Sequence, residues 1–289
     1  MNLNTKSGNW ILLLIVSLIW GSPYILREIA LKSFTHYQVA ALQVFISFCL
    51  FLPLIAKNFK KLNSGNIFPL LLSGLTGNVG PSFFFAKAQT QINSSMAGML
   101  NAMLPMVTLM VAILLFRNKP QKHTLIGIAL GFGGTATLAF LGDSYGASYF
   151  WGIFYVLMAI LSIAVSINLV SFSLPNLTGV EIASLAFLFV GPLAGLYLAS
   201  SDLHSALAAT DFIQSSTMIA LLGIGTFVGV MLYNQLIKHS SHVFAASIAY
   251  IIPVVALFWG IVIGGDNISL WQIASILFIL VGVNLVNRQ

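Results

Sequence analysis

The stretch AGMLNAMLPMV, residues 97 to 107, lies in the middle of an apolar run from Asn93 to Phe116. Asn101 and Pro105 sit near the centre of that run. An amide side chain there needs a partner, and a proline removes a helical hydrogen bond. A second stretch, AASIAYIIPVV at 245 to 255, places Pro253 at the same point of another long apolar run. Sliding the chain by 148 positions, Pro105 onto Pro253, also sets Gly77 on Gly225, Ala97 on Ala245, Val107 on Val255 and Gly134 on Gly282. Leu109 with Leu257, Ile113 with Ile261 and Ile128 with Ile276 follow. Apolar matches arise often by chance. The weight falls on Pro and Gly recurring at one depth, which points to an internal duplication.

Composition sets the solvent. Of 289 residues, 58% are hydrophobic and only 6% charged, against roughly a quarter charged in a soluble domain. So few charges cannot cover a water-facing surface, and the chain reads as a multi-pass membrane protein. Ten apolar runs of about 20 residues are candidate helices: 10–29, 37–56, 67–90, 93–116, 123–141, 149–172, 180–199, 212–237, 241–264 and 270–287. The first is too long for a cleaved signal, and no A-x-A site follows it. The single cysteine, Cys49, can form no intrachain disulfide. The net charge of +6 sits in short loops, which is a topology signal and not a nucleic-acid site.

Those loops orient the chain. Lys6, Lys57, Lys60, Lys61, Arg117, Lys119, Lys122, Lys238 and Arg288 fall on one side, which is therefore cytoplasmic. Arg27, Lys32, Asp143, Asp202, Asp211 and Asp266 fall on the other. Both termini are expected inside. The offset carries helices 3–5 onto helices 8–10, so the fold class expected is an all-α membrane protein with ten transmembrane helices in two inverted five-helix repeats. The repeats span residues 1–142 and 143–289. An odd number of spans per repeat inverts the second copy, and inverted repeats with interrupted helices at the midplane mark transporters. Pro81, Pro105 and Pro253 are the expected helix kinks.

Polar residues recur on single helical faces. Helix 4 carries Ser94, Gly98, Asn101, Pro105 and Thr108; helix 6 carries Tyr155, Ala159, Ser162 and Ser166; helix 1 carries Ser17, Gly21, Tyr24 and Glu28. Helix 8 offers Thr226, Gly229 and Tyr233 with Asn234 alongside, and helix 9 offers Ser247 and Tyr250. Such faces either line a wet cavity or bond helix to helix. The substrate-binding candidates are Trp20, Tyr24, Asn78, Ser82, Lys87, Asn101, Ser162, Ser166, Tyr233, Asn234, Ser247 and Tyr250. Lys87, about one turn from the outer end of helix 3, either attracts an anionic group or snorkels to water. On an ideal helix it points away from Asn78, unless Pro81 rotates the helix between them. Gly127, Gly131 and Gly134 form a small-residue packing face. Arg27 and Glu28 read as a surface charge pair, with an outer gate or proton carrier as the other reading of Glu28. Glu181 is a weak candidate for proton transfer.

Other classes find less support. No H-E-x-x-H, no paired intramembrane aspartates and no P-loop occur, so neither an embedded enzyme nor direct use of ATP is expected. The histidines at 36, 123, 204, 239 and 242 have no firm metal spacing. No cofactor or metal is expected.

The segments that decide between families are FAKAQTQINSSMAGMLNAMLPMVTLMVAILLF (85–116), WGSPY (20–24), YIIPVVALFWG (250–260) and ILFILVGVNLVNR (276–288). They resemble the EamA-type family of the drug/metabolite transporter superfamily over the whole chain. That resemblance implies ten helices, a central cavity walled by helices 1, 3, 4, 6, 8 and 9, and efflux of small metabolites or amino acids across a bacterial inner membrane. The partners implied are a small-molecule substrate and the lipid bilayer, with no nucleic acid; proton coupling and passive facilitation both stay open. The chain departs from the family pattern at three places. Asn118 stands where an acidic residue is usual, Glu28 where a basic residue is usual in helix 1, and Gln43 where one is usual in helix 2.

Overall fold

The computed structural model describes residues 6–116, 122–140, 147–240, 244–245 and 247–286. The topology residues Arg117, Lys119, Asp143 and Arg288, and also Asn118 and His242, lie outside the described residues. Among the described residues every regular element is helical. In chain order they are α1 Lys6–Gly21, α2 Pro23–Ala30, α3 His36–Asn58, α4 Ser64–Gly74, α5 Gly80–Ala88, α6 Ser94–Asn101 and α7 Leu104–Phe116. Then come α8 Lys122–Phe140, α9 Ala147–Ser173, α10 Gly179–Ser200, the short α11 His204–Leu207, α12 Phe212–His239, α13 Ile248–Trp259 and α14 Leu270–Val286.

Polar residues start these helices. Thr35 with Gln38, Asn63 with Asn66, and Thr178 with Glu181 each form a capping box, satisfying amides that the first turn leaves free. Glu181 also pairs with Lys61 at 2.5 Å, so it ties α10 to the end of α3. That contact makes it a structural anchor between the two helices.

Among the described residues, six helical stretches are long and apolar enough to cross a membrane: Ser7–Ala30, His36–Lys61, Ser64–Ala88, Tyr149–Ser173, Gly179–Ser200 and Phe212–His239. The pair Ser94–Asn101 and Leu104–Leu115, bent by 44°, makes a seventh if it is one span. Three shorter apolar helices accompany them. The surface is the inverse of a soluble protein's. Leu270, Ile213, Leu196 and Phe68 are exposed, whereas Ser17, Gln43, Ser47, Asn58, Ser94 and Ser215 are buried. Buried polar groups bond between helices. Ser47 Oγ donates to Gly223 O at 3.1 Å, Asn58 Nδ2 to Ser184 Oγ at 3.0 Å, and Ser215 Oγ to Ile29 O at 3.1 Å.

Among the described residues, several spans depart from regular α-helix. Helix 1 is disturbed at Ser22, just before Pro23, where Ser22 keeps helical dihedrals and its bond to Leu18 O. Helix 3 widens to a π-turn over Leu75–Val79, directly before Pro81 in α5. Helix 4 breaks at Ala102–Met103, whose amides bond back three residues, just ahead of Pro105. Pro253 lies inside α13, which runs into a second π-turn, Gly260–Gly264, ended by Gly265 at φ 71°.

Packing between elements is paired. α3 lies on α10, α6 on α13, and α8 on α14. α9 packs on α5 and α7, and α1 with α2 packs on α12 and α13. Glycines permit the closest approaches: Gly98 faces Ala256, Gly134 faces the Ser275 carbonyl, and Gly282 faces the Gly127 carbonyl. The largest buried cluster joins α1, α5, α6, α7, α9, α12 and α13 through Leu13, Leu100, Met103, Ile160 and Ala256.

A Cβ at position 98 has nowhere to go, because it meets the Ala256 methyl on α13. Gly98→Val is therefore expected to cost about 1–3 kcal/mol of stability by overpacking. Gly133→Ala, where nothing lies within 4 Å of the new Cβ, should be neutral or slightly stabilising. Thermal melts in detergent distinguish them; equal melting temperatures would rule out a tight α6–α13 contact.

Candidate functional site

Helix 1 supplies the centre of the site. Trp20, Tyr24 and Arg27 follow at i, i+4 and i+7 and so share a face. The Ser22 hydroxyl bonds back to Leu18 O at 2.6 Å just before Pro23. The helix 1 face runs antiparallel to α12. Asn9 Nδ2 reaches His239 O at 3.0 Å at one end, and Ser215 Oγ reaches Ile29 O at 3.1 Å at the other.

Two tiers form between these helices. In the first, the Trp20 and Tyr233 rings lie 4.9 Å apart. Gly229 makes room for the indole, since a side chain there would meet it. In the second, Arg27 Nη2 donates to Gln43 Oε1 at 3.2 Å, and Gln43 Nε2 donates to Thr226 Oγ1 at 3.3 Å. Thr226 and Tyr233 are seven residues apart on continuous α12, about 10 Å along its axis. Phe85 covers the guanidinium face at 5.4 Å and takes the Tyr24 ring edge-on at 5.5 Å.

Arg27 is only 6% exposed. The expected surface pair with Glu28 is not formed. Neighbouring residues on a helix point about 100° apart, and Glu28 turns instead to α6, where Ser94 N donates to its Oε2 at 2.6 Å. Ser95 N donates to Asp266 Oδ2 at 3.1 Å. Two carboxylates from distant segments thus meet the positive end of one helix. The burial of Arg27 has no signal in the charge pattern, which places it with the outer loops. The i, i+4, i+7 relation to Trp20 and Tyr24 is the signal that finds it.

The other candidates divide. Ser162 and Ser166 are occupied: Ser162 Oγ donates to Thr76 O at 2.7 Å, and Ser166 Oγ donates to Ser73 O at 3.3 Å. Gly80 and Gly77 leave space for these two hydroxyls. Asn234 is turned away from Tyr233, with its amide on Val230 O at 2.8 Å and beside Gly179. Ser82 and Asn101 are buried, and Asn78 lies half-buried in the π-turn. Lys87 is half-buried at the end of α5, with no ion pair among the described residues. Tyr250 packs on the central cluster, and Ser247 precedes α13. Among the described residues no group of His, Cys, Asp or Glu can hold a metal.

The arrangement defines a multi-pass helical membrane protein whose interrupted helices meet at an interior with aromatic rings and a buried guanidinium. The model of the EamA-like transporter family matches residues 9–140 and again 150–288, and the chain belongs to that family. The uncharacterized inner membrane transporter YedA of Escherichia coli K12 is 28% identical over 258 residues, 87% of this chain and 81% of that protein. An uncharacterized transporter of Archaeoglobus fulgidus is 22% identical over 283 residues, 97% of this chain and 99% of its own. A crystal structure of a protein at 16% identity superposes with a TM-score of 0.62 over 98% of this chain and 97% of that one, a likeness of fold.

Removing either carboxylate from the α6 terminus leaves a buried amide unpaired, which costs about 1–3 kcal/mol. Glu28→Ala and Asp266→Ala are each expected to lower the melting temperature and to speed hydrogen exchange at Ser94 and Ser95 respectively. Unchanged exchange at both amides would show that the carboxylates do not hold this helix end.

Proposed function

We propose that the protein is an alternating-access carrier that exports small metabolites of the class of amino acids and related compounds. On this reading it has ten spans in two inverted five-helix repeats, with both termini cytoplasmic. The observation that carries it is the reciprocity of the packing. Under the offset that sets Pro105 on Pro253, helices 2, 4 and 5 correspond to helices 7, 9 and 10. These are the pairs α3–α10, α6–α13 and α8–α14 that lie against one another. Likewise, helix 3 on helix 6 answers helix 8 on helix 1, and helix 4 on helix 6 answers helix 9 on helix 1. A two-fold relation places equivalent elements in contact at its axis and repeats every other contact twice. The two matches of the family model, one on each half, support the same reading.

Two copies of one unit facing opposite ways can exchange conformations, so that the interior opens first to one side and then to the other. Rocking about the midplane requires helices that bend at corresponding depths. The 44° bend beside Pro105 supports this in helix 4, and Pro253, which lies within the continuous α13, is the position proposed to yield in helix 9. Trp20 and Tyr233 meet between helices 1 and 8, one from each proposed repeat, where such rocking alters the spacing, and Gln43 of helix 2 relays Arg27 to Thr226 of helix 8.

The test is counterflow in sealed proteoliposomes loaded with unlabelled amino acids and metabolites, with and without a proton gradient. Saturable, selective entry of a labelled counterpart is expected. A response to the gradient separates proton coupling from passive facilitation. Pro105→Ala and Pro253→Ala should each slow exchange about tenfold or more, as expected when hinge positions stiffen. Wild-type rates in both folded variants would end the paired-bend mechanism, and no exchange of any compound by folded protein would end the carrier reading.

A further inference from the structure

Arg27 is a permanent cation inside a membrane span, and it has no counter-charge within the described residues. The chain holds six acidic residues in all. Glu28 accepts from Ser94, Asp266 from Ser95, Glu181 pairs with Lys61, and Asp202 caps the His204 amide. Asp211 precedes α12, and Asp143 lies outside the described residues. Gln43 offers Arg27 one neutral acceptor, and Phe85 covers its face. The Nε–H is buried with no acceptor. An unpaired guanidinium in hydrocarbon is costly, and an orphaned donor adds to that cost.

We infer that Arg27 is the binding site for a carboxylate on the transported substrate, an assignment that rests on the carrier reading. A guanidinium presents a planar fork of N–H groups, and a carboxylate is the planar two-oxygen acceptor that fits it. Gln43 takes one of the guanidinium's five N–H donors, and the buried Nε–H is among those left for the oxygens of a carboxylate. The Trp20–Tyr233 tier lies two turns away along α12, about 10 Å on the helix axis. A small molecule with its anionic end at Arg27 therefore directs an apolar body toward those rings. The site selects acids and amino acids, and rejects amines that lack the carboxylate. It also neutralises the buried charge only when loaded, so the loaded interior is the one that loses least by closing.

The experiment uses three related probes in reconstituted protein: L-leucine, 4-methylpentanoate, which lacks the amino group, and isoamylamine, which lacks the carboxylate. The phenylalanine series is run beside them. The acids are expected to exchange and the amines not to. Arg27→Gln should raise KM for the acids about tenfold or more, the usual loss when a buried charged partner is removed. Arg27→Lys keeps the charge without the fork and should fall between. Equal exchange of amine and acid, or a folded R27Q with the wild-type KM, overturns the assignment. If the wild type exchanges nothing, the carrier reading fails separately, and melting of the purified protein decides about Arg27. A rise in melting temperature with the acids that R27Q lacks supports the site; identical melting with acids and amines overturns it.

Discussion

Hydrocarbon holds no water to bond a free backbone group, so every break in a helix within the membrane needs a substitute partner. The π-turn of helix 3 is the clearest instance. The Gly80 amide bonds back five residues to Leu75 O. In that register the donor for Thr76 O would be residue 81, which is proline and has none. The Ser162 hydroxyl supplies the missing bond from α9 at 2.7 Å. Gly80 is small where that hydroxyl arrives. Proline, glycine and serine on two helices thus form one device, which opens a span and satisfies it in the same place.

A similar economy governs charge. Arg27 and Glu28 are adjacent in sequence, yet one turns inward to Gln43 and the other to the end of α6. The resemblance to the EamA-type family leads to the expectation of a base at position 43. A second cation there would lie against Arg27 in a medium that screens it poorly. The neutral amide at 43 and the arginine at 27 are therefore compatible as a pair, and position 28 is freed for a carboxylate that caps a helix.

Much of this was legible in the sequence. Long apolar runs and sparse charge point to helices and membrane, because hydrophobic length acts locally. The capping boxes at Thr35, Asn63 and Thr178 are local too, a signal the sequence carries that a reading of apolar runs passes over. Interior assignments are harder, because they depend on which face of a helix meets which neighbour. Ser162 and Ser166 look like cavity residues by period, but their hydroxyls are taken by backbone oxygens on α4 and the π-turn. Asn234 follows Tyr233 directly and still faces α10. Arg27 lies near a helix end, where the charge pattern describes a loop; only the face it shares with Trp20 and Tyr24 shows otherwise.

The ends of the molecule are held by different kinds of contact. At one end Lys61 and Glu181 join helix 2 to helix 7, and Asn9 joins helix 1 to the end of helix 8. At the other, Glu28 and Asp266 converge on Ser94 and Ser95, so helices 1 and 9 are fastened to helix 4 through the backbone of a single turn. The second fastening acts directly on backbone at the end of the bent helix, and separating α6 from either carboxylate exposes an amide that needs another acceptor. Water entering from that side can provide it, whereas lipid cannot. On the proposed carrier reading, opening at this end is coupled to hydration of the α6 terminus, one and two turns along helix 4 from Gly98 and Asn101. The helix that bends by 44° is the same helix whose terminus the two carboxylates hold.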